Sequence, residues 1–379
     1  MNIDESWKYL SPTKIVFGQH SFDSLKKYVL DLNTRQNILL VTGRESMKKY
    51  GYVRRCKRML YDYSLHMYDR VPPNPTVEVI QEALNFVGNA EIELVIALGG
   101  GSALDVGKCL AMLIKNQGKP MAYLSGESTF RNKGLPFIAI PTTSGTASEV
   151  TAWGTIWDMV NKKKFSLGHE WMFPDYAIID PLLTIHMPRY LTACTGMDAL
   201  THAIESCWSR NAQPISDSFA LRAIKLVRKN LKTAWEEPGN ITARTNMAMA
   251  SLFAGLAFNN TKTAACHSIS YPMTCHFGIP HGLAVSITLK EVIKYNNKVV
   301  PDKVDQIIEE FGSGSLEDFM DNLSELMRSI DLPTTLSELN IKESDIKFLV
   351  DRSANPERMK NNPYDLGSKD IEAILKNIY

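Results

Sequence analysis

One carboxylate and three imidazoles, those of Asp198, His202, His267 and His281, stand at spacings that allow them to close around a single divalent ion. Asp198 and His202 are four residues apart in GMDALTHAIES (196–206), a segment with helical patterning, so both side chains project from one face. His267 and His281 bound HSISYPMTCHFGIPHG (267–282), in which a helical stretch ends at Gly278-Ile279-Pro280 and His281 opens the next segment. Imidazole and carboxylate together suit Zn(II) or Fe(II), and three or four protein ligands leave a position for a substrate oxygen. Such a centre supports Lewis-acid activation of a carbonyl or an alcohol. Polar pairs four apart also decorate solvated helix faces, and backbone groups alone can satisfy a histidine. The small, apolar residues around His267 and His281 weigh against that reading, because an imidazole buried there needs a partner.

The elements that must position these residues differ between the two halves of the chain. Up to about residue 185, apolar runs alternate with helical stretches: NILLVTG (37–43), ELVIALGGGS (93–102) and LPFIAIPTTSGT (135–146) each end in Gly, Ser or Thr. Such runs suit buried parallel strands joined by crossover helices. After Pro188 long helical periodicities take over, as in SDSFALRAIKLVRKNL (216–231) and TNMAMASLFAGLAF (245–258). At 379 residues the chain exceeds one ordinary core. We expect an α/β dinucleotide-binding domain over 1–186 and a helical metal-binding and substrate domain over 187–379, with a ligand in the cleft between them. The polar stretch around 301–325 reads as surface helix and loop.

Lys plus Arg number 42 against 41 for Asp plus Glu, so no global pull toward nucleic acid or membrane is expected. The six cysteines form no CxxC and no regular framework, which fits reduced thiols in a cytoplasm. The first residues lack a basic-then-apolar leader, and no run is apolar enough to span a bilayer. A cytoplasmic location is expected.

Gly99-Gly100-Gly101-Ser102 follows a buried strand and opens a helix, an arrangement in which backbone N–H groups can approach a pyrophosphate. It is not the GxGxxG fingerprint, and a tight turn without a ligand is the competing explanation. A second turn, Pro141-Thr142-Thr143-Ser144-Gly145-Thr146, again follows a strand and offers hydroxyls. Two such turns at strand ends favour a nucleotide.

With these residues in place the chain resembles the iron-containing alcohol dehydrogenase family. SPTKIVFGQHSFDSL (11–25), GGGSALDVGK (99–108), PTTSGTASEVT (141–151), IIDPLLT (178–184), GMDALTHAIES (196–206) and FGIPHG (277–282) occur in the family's order. The resemblance implies a Rossmann-like α/β N-terminal domain and an all-α C-terminal domain, a dehydroquinate synthase-like fold. It also implies NAD(P) and one divalent metal, Fe(II) or Zn(II), and it assigns the metal ligands to Asp198, His202, His267 and His281. It implies cofactor contacts from Gly99, Gly100, Gly101, Ser102, Thr142, Thr143, Thr146 and Lys164, with Asp105 supporting the turn, and a homodimer acting on a small aldehyde or alcohol.

Three departures from the family pattern sharpen the reading. Where many members carry an aspartate after the first strand, VTGRES (41–46) has Gly43 and Arg44. Losing that carboxylate removes repulsion against a 2′-phosphate, which Arg44 or Ser46 can bind, so NADP(H) is preferred over NAD(H). Four residues after His267, where many members have another histidine, stands Tyr271, a weaker base with an unperturbed pKa near ~10 but a possible proton donor. This leans toward aldehyde reduction, with Tyr271 as the catalytic candidate and His276 as a lesser substitute. Finally, NNTKTAACHSIS (259–270) places Lys262 where the family commonly has glycine, about one and a half helical turns before a ligand. A lysine there favours a substrate with an anionic tail. Together with EVTAWGTIWD (149–158), this segment resembles the branch that reduces phosphonoacetaldehyde to 2-hydroxyethylphosphonate, with Lys262, Thr261, Thr263 and Thr151 as substrate contacts and Arg210 or Arg358 as unplaced sources of charge. The alternatives are a general short-chain primary alcohol dehydrogenase and a dehydroquinate synthase-type lyase.

Overall fold

The computed structural model describes residues 6–116, 118–353 and 356–379. Among these, eight strands form β1 (Lys14–Phe17), β2 (Asn37–Gly43), β3 (Ser64–Val71), β4 (Leu94–Gly99), β5 (Phe137–Pro141), β6 (Trp153–Asp158), β7 (Lys163–Gly168) and β8 (Tyr176–Ile179). Six of them make one parallel sheet in the order β1-β8-β5-β4-β2-β3. The three apolar runs became β2, β4 and β5 because both faces of a parallel sheet are covered. Ile38, Leu40, Ile96 and Ile138 pack on one side, and Leu39, Val41, Val95 and Phe137 on the other. Alternation toward water is therefore absent, and these segments are continuously hydrophobic.

β2 bonds to β3 on one side and to β4 on the other, so the sheet grows in opposite directions from that point. Gly43 and Gly99 end these two neighbouring strands, where open α/β sheets place their ligands. Helix α1 (Gly101–Leu113) starts directly after β4. The antiparallel hairpin β6–β7, which sequence patterning did not separate, is held at its tip by Asp158, whose Oδ1 accepts from the N–H groups of Val160 and Asn161 at 3.0 and 2.9 Å.

Residue contacts divide the chain into two compact units, one spanning Pro12–Met187 and the other Pro188–Tyr379 with residues 6–11. That opening segment was expected in the α/β half. It belongs to the helical unit because its polar groups are satisfied there: Tyr9 donates to the Leu256 carbonyl at 3.1 Å, and the Leu10 N–H donates to Asn260 at 2.8 Å.

The helical unit contains α2 (Arg189–Trp208), α3 (Pro214–Glu236), α4 (Ile241–Thr261), α5 (Ala265–Phe277) and α6 (His281–Ser286), around which further helices pack. Asn240 caps α4 by accepting from the Ala243 N–H at 3.0 Å, and Gly278, at φ +69°, terminates α5. The stretch expected as surface helix and loop forms two amphipathic helices, Pro301–Phe311 and Leu316–Ser329, whose Val304, Ile307, Phe311 and Phe319 enter the core. Among the described residues no helix is long and apolar enough to cross a membrane.

Candidate active site

Asp198 and His202 lie one turn apart on α2, His267 in the first turn of α5, and His281 opens α6. Asp198 Oδ1 is the hub: it lies 3.8 Å from His202 Nδ1, 4.0 Å from His267 Nε2 and 3.9 Å from His281 Nε2. Two donors that each bond one ion at about 2.0–2.2 Å are at most ~4.4 Å apart, so each of these separations suits a shared ion. The donor atoms of Asp198, His267 and His281 all fall within 4.8 Å of one another. His267 Nε2 is buried with no hydrogen-bond partner among the described residues, an omission that a metal ion would repair.

Packing fixes the rings. His202 stacks on Phe258 of α4 at 4.1 Å between centroids and on His267 at 4.5 Å. Gly282 brings in the fourth residue: a Cβ there would fall 1.9 Å from the Cys194 carbonyl oxygen, so only glycine lets α6 approach α2 and set His281 beside Asp198. Glu205, which spacing did not single out, is fully buried beneath the cluster and accepts from the Ala264 N–H at 2.7 Å and the Cys266 N–H at 2.6 Å, with His267 Nδ1 at 2.7 Å. Its signal was present in the sequence, since Asp198, His202 and Glu205 fall at i, i+4 and i+7 of one helix.

Lys262 is not on a helix continuous with His267. It ends α4 at φ +63° and ψ 168°, a conformation otherwise almost confined to glycine, and α5 begins three residues later. This explains the glycine that the family commonly places there. Its Nζ donates to the Asn259 carbonyl at 2.9 Å. Burial, then the positive charge of Arg358, push the Lys262 ammonium down to about 8. Arg210 is engaged with Asp365 at 2.6 Å and the Pro363 carbonyl at 3.1 Å.

The threonines expected as substrate contacts are buried. Thr261 is fully buried, its hydroxyl 3.5 Å from the Ala257 carbonyl, and its own carbonyl accepts from Ser209 at 2.9 Å. Thr263 is buried too, with its carbonyl accepting from Asn361 at 3.0 Å. Thr151 is buried in the other unit, where its hydroxyl accepts from Lys108 Nζ at 3.0 Å. Tyr271 lies half-buried on α5 one turn after His267, while His276 packs edge-on against Phe348 at 4.8 Å.

In the α/β unit the two polar turns touch. A Cβ on Gly101 would lie 2.6 Å from Thr146 Oγ1, so this glycine is demanded by the neighbouring turn whether or not a phosphate approaches. Ser102, Thr143 and Thr146 stay half-exposed, Thr142 is buried, and the Thr142 N–H donates to the Gly99 carbonyl at 2.9 Å. Asp105, half-buried on α1, accepts with its carboxylate from the Ser148 hydroxyl and from the Thr155 N–H at 2.9 Å. The fully buried Lys108 donates to the Ser148 carbonyl at 2.9 Å, and desolvation lowers its pKa. Burial likewise raises the Glu149 carboxyl to about 7. Neither Lys108 nor Glu149 was singled out from the sequence, because a charged residue inside a motif gives no sign of its burial. Gly43 is half-exposed at the end of β2, Arg44 and Ser46 are exposed after it, and Arg44 Nε reaches toward the Arg70 carbonyl at 3.5 Å. Lys164 is half-buried on β7, its ammonium 5.6 Å from the Trp157 ring centre.

Comparison with known proteins places this arrangement. The family described as iron-containing alcohol dehydrogenase matches residues 12–181, and the C-terminal region of the Fe-containing alcohol dehydrogenase family matches 192–379. Long-chain-alcohol dehydrogenase 1 of Geobacillus thermodenitrificans (strain NG80-2) is 35% identical over 97% of both chains. Sulfoacetaldehyde reductase of Bilophila wadsworthia (strain 3_1_6) is 35% identical over 82% of this chain and 83% of its own. The crystal structure of sulfoacetaldehyde reductase from Bifidobacterium kashiwanohense in complex with NAD+ superposes with a TM-score of 0.93 at 33% identity, covering 99% of each chain. The chain is therefore an oxidoreductase and belongs to the iron-containing alcohol dehydrogenase family.

Proposed function

We propose that the protein is a metal-dependent reductase of a short anionic aldehyde, most specifically of phosphonoacetaldehyde to 2-hydroxyethylphosphonate, with NADPH as reductant. The observation that carries this reading is Lys262, a half-buried lysine held in a glycine-type backbone conformation, whose ammonium feels the positive charge of Arg358. Keeping a side chain there costs about 1–3 kcal/mol, which a binding role for the ammonium accounts for. The sulfoacetaldehyde reductases among its relatives support an anionic aldehyde as the substrate class. Two cationic groups suit a phosphonate, which can carry a second negative charge, better than a sulfonate.

Asp198, His202, His267 and His281 would hold one divalent ion, Fe(II) or Zn(II), which when bound polarises an aldehyde oxygen. Ser102, Thr143 and Thr146, with Arg44 and Ser46 at the 2′-phosphate, would hold the dinucleotide that supplies hydride. Lys262 and Arg358 fix the anionic end of the substrate and so orient its carbonyl. Tyr271 is the side chain assigned to donate the proton, from its phenolic oxygen.

Steady-state kinetics of the metal-loaded protein with NADPH test the reading. Phosphonoacetaldehyde should exceed propanal in kcat/KM by at least about tenfold, the worth of one charged hydrogen bond, and should exceed sulfoacetaldehyde as well. Equal values for phosphonoacetaldehyde and propanal would reject the anion site, and no net NADPH consumption would point to lyase chemistry. For the cofactor, Arg44→Ala should lower kcat/KM with NADPH roughly tenfold while leaving NADH nearly unchanged. A wild-type preference for NADH would overturn the assignment of Gly43 and Arg44.

A further inference from the structure

We infer that Glu205 is the positioning residue of the metal centre, fixing the ring orientation and tautomer of His267 from beneath while it caps the helix that carries that ligand. The inference rests on the reading of Asp198, His202, His267 and His281 as ligands. Helix α5 begins at Ala265 after Ala264, which has no side chain able to cap it. Glu205 supplies the cap from α2 instead. Its Oε1 accepts from the Cys266 N–H at 2.6 Å and lies 3.4 Å from the His267 nitrogen, and its Oε2 accepts from the Ala264 N–H at 2.7 Å.

A cap alone needs only those backbone contacts, yet Oε2 also lies 2.7 Å from His267 Nδ1. An ionised carboxylate can only accept, so with Glu205 as carboxylate Nδ1 is the atom that carries the hydrogen. The Nε2 lone pair is then left facing the Asp198 carboxylate oxygen 4.0 Å away, which is the atom a metal requires. Glu205 is fully buried, so these contacts are shielded from bulk solvent. Its place on α2 matters as well: Asp198, His202 and Glu205 share one helix face, so a single rigid element carries two ligands and the group that orients a third.

The test is Zn²⁺ affinity, measured by chelator competition, in wild type, Glu205→Gln, His267→Ala and the double variant, with Co²⁺ absorption spectra as a probe of ligand geometry. Glu205→Gln should weaken Zn²⁺ binding by about 10- to 100-fold and shift the Co²⁺ bands. In the His267→Ala background the same substitution should cost little more, because the ring it orients is already gone. Wild-type affinity in Glu205→Gln, or losses that simply add in the double variant, would reduce Glu205 to a helix cap and overturn the inference. Wild-type protein that takes up no Zn²⁺ would remove the ligand reading itself, a result distinguishable from the first. Should Glu205→Gln fail to fold, histidine-selective ¹⁵N NMR of metal-free wild type decides. The His267 signal, identified by its loss in His267→Ala, should report the Nδ1–H tautomer, and an Nε2–H tautomer would overturn the proposal.

Discussion

His267→Ala protein is expected to lose its bound metal and at least about 10³-fold in kcat/KM for every aldehyde, as a metal ion's charge stabilisation is worth several kcal/mol and each 1.36 kcal/mol is tenfold in rate. The residue offers no second use for its inner nitrogen. Nε2 is buried, has no hydrogen-bond partner among the described residues, and faces Asp198. The fold should survive the change, because the backbone contacts of Glu205 to Ala264 and Cys266 do not depend on the imidazole. Metal content by elemental analysis and kcat/KM on both phosphonoacetaldehyde and propanal are the measurements. Full metal occupancy with full activity would remove His267 from the centre.

Lys262→Ala should lower kcat/KM for phosphonoacetaldehyde by about 10- to 100-fold, the 1.5–3 kcal/mol of a charged hydrogen bond, and leave propanal within about threefold. Equal losses on both aldehydes would mean that Lys262 shapes the pocket without reading charge. The same lysine imposes a pH dependence. Its ammonium titrates at about 8, lowered chiefly by burial and further by Arg358, so positive charge is present below that pH and lost above it. Since kcat/KM reports the free enzyme, its value for the phosphonate should fall as pH rises through about 8, with no matching fall for propanal. Lys262→Gly separates binding from folding: at φ +63° glycine relieves strain, so this variant should gain about 1 kcal/mol of stability while losing the phosphonate preference. A stability gain without loss of preference would assign the strain no functional return.

The two halves were unequally legible. Runs such as NILLVTG announce buried strands because parallel sheets hide both faces, and β2 spans that run from Asn37 to Gly43. The hairpin of Trp153–Asp158 and Lys163–Gly168 did not announce itself, since its register rests on the Asp158 turn and its second strand is largely exposed or half-buried. In the site, i, i+4 spacing was enough to pair Asp198 with His202, because helix geometry is local. Whether the neighbouring threonines face a ligand or the backbone is not local. Thr261 and Thr151, expected at the substrate, are seen bonded to buried groups of the fold.

The order of the motifs and the residue types within them determined the family, the α/β-then-helical architecture and the chemistry that one carboxylate and three imidazoles can perform. Tertiary structure decided what those residues touch. It brought His267 to within about 4 Å of Asp198, and His281 likewise through the close approach that Gly282 permits. It set Glu205 under His267, and it turned Lys262 from a point on an imagined helix into a strained, half-buried cation. Spacing along a chain specifies distance only within one element, and burial and contact between elements arise when their faces pack.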